Sequence, residues 1–300
     1  MKSRRLLTAF LLLLPGLNFA AADDTPAANP ARPTVTNPAT LPPVGYLEFE
    51  NGYLGSIHSP DSASQYGINQ VTKIAVHPRL MLIVGFQPFE ASTVLGTPGT
   101  SNDAGGINVG AQVVLYTPGT SEKTGTGSSD PGTETDAKTP LPTIAVGYQH
   151  NVYGGTAPDI DLGSATNIFL VLFSGDFGNF HYDTNYIVNE QDGTGIHGNT
   201  IHRAQFAQTI SVNHPFFNPN LQLAVEVYHF SQPLVTNTDD GRPTSRANLV
   251  DLLIAPSYQV RPNIVIDAGF SYGMTSTSTT WQSFAGFTYL LPKRLWKGRS

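Results

Sequence analysis

Cysteine is absent from the 300 residues. Its absence excludes a disulfide framework, a thiolate metal site and a lipid-modified N-terminal cysteine. Charge is scarce as well: charged residues make up 13% of the chain, and the formal net charge is −6. With no basic stripe interleaved with aromatics, that balance argues against nucleic acid as a partner. Long hydrophobic runs are also missing, since nothing after Ala22 approaches the roughly 18 consecutive apolar residues of a membrane-crossing helix. The mature chain is therefore either soluble or a protein that crosses a membrane with strands.

The N-terminus reads as an export signal. Met1-Lys2-Ser3-Arg4-Arg5 precedes the apolar run Leu6 to Leu14, and Ala20-Ala21-Ala22 stands before Asp23. This pattern predicts a signal peptide over residues 1–22, cut after Ala22. Losing Lys2, Arg4 and Arg5 with it takes the charge from −6 to −9. Residues 23–43 hold Pro26, Pro30, Pro33, Pro38, Pro42 and Pro43 and show no apolar period. They are expected to form an extended or disordered leader.

From residue 44 onward the governing period is two. Between Leu249 and Leu291, for example, Leu252, Ile254, Pro256, Tyr258 and Val260 share one face, and Asp251, Leu253, Ala255, Ser257 and Gln259 share the other. The same reading gives about twelve strands, at 44–54, 67–77, 79–88, 104–116, 141–150, 163–173, 178–188, 203–213, 220–231, 248–260, 263–273 and 279–291. Connections alternate between short ones, such as His77-Pro78 and Arg261-Pro262, and longer ones rich in Gly, Asp, Asn, Ser and Thr. That asymmetry predicts an all-β fold, an antiparallel transmembrane β-barrel over residues 44–292 with a basic tail at 293–300. The Thr/Gly/Ser-rich stretch 117–141 breaks the rule, for it is long where a short turn is due. Two strands apolar on both faces, Leu80–Val84 and Ile168–Phe173, favour the alternative of a secreted β-sandwich binding module.

Alternation also sorts the charges. The residues expected to line the lumen are Glu48, Lys73, Asp183, Arg203, Glu226, Asp251 and Asp267, with Glu50 beside them; charge at mid-bilayer on the lipid side would be costly. This acidic excess is expected to favour cations. Met81, Ile83, Phe169, Val171 and Phe173 are expected to add a greasy strip suited to a small aromatic or other apolar solute. No catalytic, metal or cofactor site emerges. His181 and Asp183 share a strand face, but a solvated lumen pair explains them. His197 and His202 lack a third ligand at suitable spacing. No Gly-x-Ser-x-Gly elbow supports the further alternative of an outer-membrane hydrolase.

The closing hairpin carries a family likeness. Pro256, Tyr258, Pro262, Asn263, Asp267 and Gly269, then Gly286 with Tyr289, together with Tyr116-Thr117-Pro118-Gly119 and Phe173 to His181, resemble the bacterial outer-membrane β-barrels assigned as transporters to the MetA pathway of phenol degradation. The resemblance implies a barrel in the outer membrane of a Gram-negative cell that moves small molecules and is not an enzyme. Its partners would be outer-membrane lipid, a small-molecule solute and the outer-membrane assembly machinery. Outer-membrane barrels usually finish on an aromatic residue at the end of the last strand, whereas here Leu290-Leu291-Pro292 leads into the basic tail.

Overall fold

The computed structural model describes residues 26–58, 62–94, 101–118, 141–153, 165–194, 200–234 and 245–296. Period-two alternation makes strands: β1 (Leu47–Ile57), β2 (Ser62–His77), β3 (Leu80–Val94), the short β4 (Ser101–Asp103), β5 (Ile107–Tyr116), β6 (Thr143–Tyr153) and β7 (Ala165–Phe177). There follow β8 (Phe180–Thr194), β9 (Thr200–Phe216), β10 (Asn218–Leu234), β11 (Ser245–Arg261), β12 (Ile264–Gly273) and β13 (Trp281–Leu290). Each long strand pairs antiparallel with its neighbours, and the pairing of β1 with β13 closes a barrel of twelve long strands; β4 is a spur beside the far half of β3. Among the described residues all strands belong to this one closed sheet, so the two-sheet alternative does not hold.

Several strands run longer than alternation alone indicated, β9, β10 and β11 reaching 17 residues each. The turns at one end are short. Gly178 takes a φ of +61° between β7 and β8, a conformation glycine adopts without a Cβ clash. The β5–β6 connection also belongs to this end, but residues 119–140 lie outside the described residues, as do 1–25 and the signal expected there.

The two faces of the wall differ in chemistry. Leu82, Val84, Val113, Phe206, Ile210, Val225 and Ile266 point outward and are exposed, as a lipid-facing band requires. Aromatics flank the band, with Tyr272 against Trp281 towards the long-loop end and Phe180 against His214 at the short-turn end. Inward-facing Gln205, Thr209, Ser211 and Asn185 are buried. The strip expected from β3 and β7 needs correction. Phe169 and Val171 are 49% and 39% exposed on the outer face, and Leu170 and Leu172 face inward in their place. Met81 is buried as expected, and with Ile83 it borders a lumen cavity.

The described part of the leader, residues 26–43, is not disordered. Residues 26–43 lie inside the barrel, entering beside the β11–β12 turn, where the Ala28 N–H donates to Pro262 O. They turn near mid-lumen and return to β1. Ala39 packs with Val114, Ala145, Leu170 and Leu172, and Val35 and Leu41 join the same cluster. The inward apolar side chains of β7 thus meet the leader, which explains a strand apolar on both faces. At the other terminus Arg294 Nε donates to Val44 O and the Leu295 N–H to Gly45 O, folding the start of the basic tail onto the entry of β1.

Candidate functional site

An extended segment with no strand beside it must place each buried N–H on some other acceptor. Proline removes part of that demand, and the wall meets much of the rest with side chains. The Asn29 N–H donates to Glu48 Oε2 at 2.7 Å and the Ala31 N–H to Glu50 Oε1 at 2.7 Å. Glu226 takes the N–H groups of Val35 and Thr36, each at 2.8 Å, and the Thr36 hydroxyl at 2.6 Å. That hydroxyl also lies 2.7 Å from Thr209 Oγ1. Asn185 closes a two-way bond with the backbone of Asn37, at 2.7 Å and 2.8 Å. The Ala39 N–H donates to Ser174 Oγ at 2.6 Å, and Gln112 Nε2 donates to the carbonyls of Pro38 and Ala39.

One leader side chain has a shaped seat. Arg32 reaches Asp267 through Nε at 3.3 Å and Nη2 at 3.1 Å. Beneath it lie Gly52 and Gly286, directly opposite each other on β1 and β13. A Cβ at Gly52 would overlap the guanidinium, so glycine here serves close approach. Lys73 holds Glu50 at 2.6 Å and stands 3.9 Å from Glu48.

The residues read as lumen-facing can now be placed. Glu48, Lys73, Asp183, Glu226 and Asp267 are buried, and all but Lys73 and Asp183 bond the leader directly; Lys73 acts through Glu50. Asp183 acts through Ser174, whose hydroxyl donates to it at 2.5 Å. Asp251 is buried nearer the long-loop end, opposite Gly273. Arg203 pairs with Gln191 in the β8–β9 ladder, and its side chain lies outside the described residues. The same holds for His202, and His197 lies outside them altogether. Sequence reasoning missed Arg32 and its glycine seat, because a proline-rich stretch has no period from which to read a face.

His181 and Asp183 do come together, at 3.3 Å, and His181 also meets Asp176 at 2.9 Å. Yet the Ser174 hydroxyl donates to Asp183 Oδ1, the oxygen that His181 Nε2 also approaches, and not to the imidazole. A nucleophile needs its base within reach. Among the described residues no group of three or more His, Asp or Glu could hold a metal.

Among the described residues, cavities border the leader on several sides. One of about 390 Å³ opens at the short-turn end and includes Arg32, Asp183 and Gln222 in its walls. One of about 110 Å³ runs along β2, β3 and β5 past Lys73 and Met81. Another, about 360 Å³, lies above the leader's apex, with Asn69, Gln87, Asn108 and Gln149 on one side and Ile168, Leu170, Ile187 and Phe230 on the other.

A family model described as "Putative MetA-pathway of phenol degradation" matches residues 87–291. Among solved structures, the COG4313 outer membrane channel from Pseudomonas putida F1 is similar at 10% identity over 84% of this chain and 98% of that one, with a TM-score of 0.58. The CymD monoaromatic hydrocarbon channel aligns at 10% identity over 83% and 88%, with a TM-score of 0.45. No curated protein matches the sequence.

Proposed function

The chain belongs to the family described by the MetA pathway of phenol degradation and is an outer-membrane β-barrel, and from that premise we propose that it is a channel for small, partly apolar or aromatic molecules, closed by its own leader and opened when the leader withdraws. One observation carries the proposal. The leader is held in the lumen chiefly by hydrogen bonds from its backbone to wall carboxylates and amides, an interface that can be solvated when it parts, with cavities on both sides of it. The apolar side chains of β7, β8 and β10 would then border the path, as a greasy solute requires.

On this reading the solute crosses unchanged. The Ser174, Asp183 and His181 arrangement supports that, because the imidazole is not placed to take the serine proton. Glu48, Glu50, Asp183, Glu226, Asp251 and Asp267 against Lys73 and Arg203 would line the vacated path, and the leader would leave toward the periplasm, the side of the short turns in such barrels.

Flux through reconstituted vesicles tests the proposal. Removing residues 26–43 leaves every ladder bond of the wall in place, so the shortened barrel should still assemble and should pass benzyl alcohol far faster than the whole chain. An assembled, shortened barrel that stays impermeable would overturn the reading.

A further inference from the structure

The cavity above the leader is lined in part by polar groups that the barrel does not satisfy, and Asn189 is one of them, hydrogen-bonded to Gln205 outside the lining. Asn189 is 4% exposed and Gln205 is 0% exposed. Asn189 Nδ2 donates to Gln205 Oε1 at 2.6 Å, which leaves Asn189 Oδ1 and Gln205 Nε2 without partners among the described residues. Turning both amides over still leaves one acceptor and one donor. Asn69 Oδ1 and Asn151 Oδ1, also in the cavity wall, are buried and unpartnered as well. Buried acceptors left open carry the full cost of desolvation, so their recurrence around one cavity marks a place where a donor is missing.

Glu90 sets the sign of that donor. It borders the same cavity at 4% exposed, receives a hydrogen bond from Gln65, and has no cation against it among the described residues. No described Lys, Arg or His lines the cavity, so among the described side chains an anion would find amide N–H groups alone as donors and would face the Glu90 carboxylate. A buried carboxylate is strongly disfavoured unless a cation pairs with it. The opposite wall, Ile168, Leu170, Ile187 and Phe230, offers hydrocarbon and an aromatic ring, and the volume of about 360 Å³ falls in the ligand-sized range of roughly 300–1,000 Å³.

We propose that this cavity is a binding site for compact amphipathic amines, protonated arylalkylamines above all, with Glu90 and the amide oxygens of Asn69, Asn151 and Asn189 taking the ammonium group and Phe230 and Ile187 taking the hydrocarbon. The site narrows the solute class of the channel and rests on that reading only for how the ligand arrives. The cavity exists with the leader in place, so the whole chain in detergent is the material to test.

Calorimetric titration with benzylamine, benzyl alcohol and benzoate separates the possibilities. Benzylamine should bind about tenfold or more tighter than the neutral alcohol, since charge-assisted bonds are roughly twice as strong as neutral ones, and benzoate should not bind. Glu90→Gln should bring the amine to within about twofold of the alcohol. Equal binding of amine and alcohol, binding of benzoate, or no binding of any of the three because the cavity holds only water would each overturn the site. The ranking on the unaltered chain decides this even if the variant folds poorly. Flux of benzyl alcohol through the shortened barrel judges the channel separately, so either idea can fail alone.

Discussion

Arg32 and its seat show how single residues hold the leader. The guanidinium lies over two facing glycines and on a buried carboxylate, so it has room and a counter-charge at once. Arg32→Ala leaves Asp267 buried without its cation. Losing a hydrogen bond to a charged group costs about 1.5–3 kcal/mol, which should raise the open fraction by roughly tenfold to a hundredfold. Gly52→Val should act in the same direction, because its methyl groups claim the guanidinium's space. Single-channel recording checks both: longer openings in the two variants are expected, and unchanged closed times would remove Arg32 from the holding contacts. The carboxylate of this pair was legible from alternation along β12, whereas the arginine was not. A face can be read only where a period exists, and the leader has none.

At the scale of strands, alternation carried most of the information. The twelve long strands and the inward positions of Glu48, Glu226 and Asp267 follow from it, because one residue of slip would turn charge toward lipid. Ile210 lies 51% exposed in β9, next to the buried Thr209. Ile210→Lys should therefore cost about 2–4 kcal/mol if it lies near mid-bilayer, measured by denaturant unfolding from lipid vesicles; a tolerated lysine would contradict the register. The pattern gave no such help in β7, where both faces are apolar and the choice between Phe169 and Leu170 was a coin with two like sides. What settles it is the leader packing against Leu170 and Leu172, a contact between segments more than a hundred residues apart. The seat of the leader inside the barrel could not be read for a related reason. Its partners are wall carboxylates and amides such as Glu226 and Asn185, remote in sequence and recognisable only once the barrel has closed.

The whole molecule is a wall whose acidic residues are engaged by its own N-terminal segment. Remove that segment and Glu48, Glu50, Glu226 and Asp267 face an aqueous path with Lys73 as their described counterweight. The shortened barrel should then prefer cations over anions, and Glu226→Gln with Asp267→Asn should weaken the preference in reversal-potential measurements. Clear anion selectivity would mean that other residues govern the path.

If solute crosses where the leader now lies, a reversible lock between leader and wall should stop it. The chain has no cysteine, and the hydroxyls of Thr36 in the leader and Thr209 in the wall are 2.7 Å apart. Thr36→Cys with Thr209→Cys should form a disulfide on oxidation, visible as a gel shift. Oxidised protein in vesicles should pass benzyl alcohol no faster than empty vesicles, and reductant should restore the flux of the unlocked barrel. Flux through fully oxidised, locked barrels equal to that of the reduced ones would mean that solute does not cross where the leader lies.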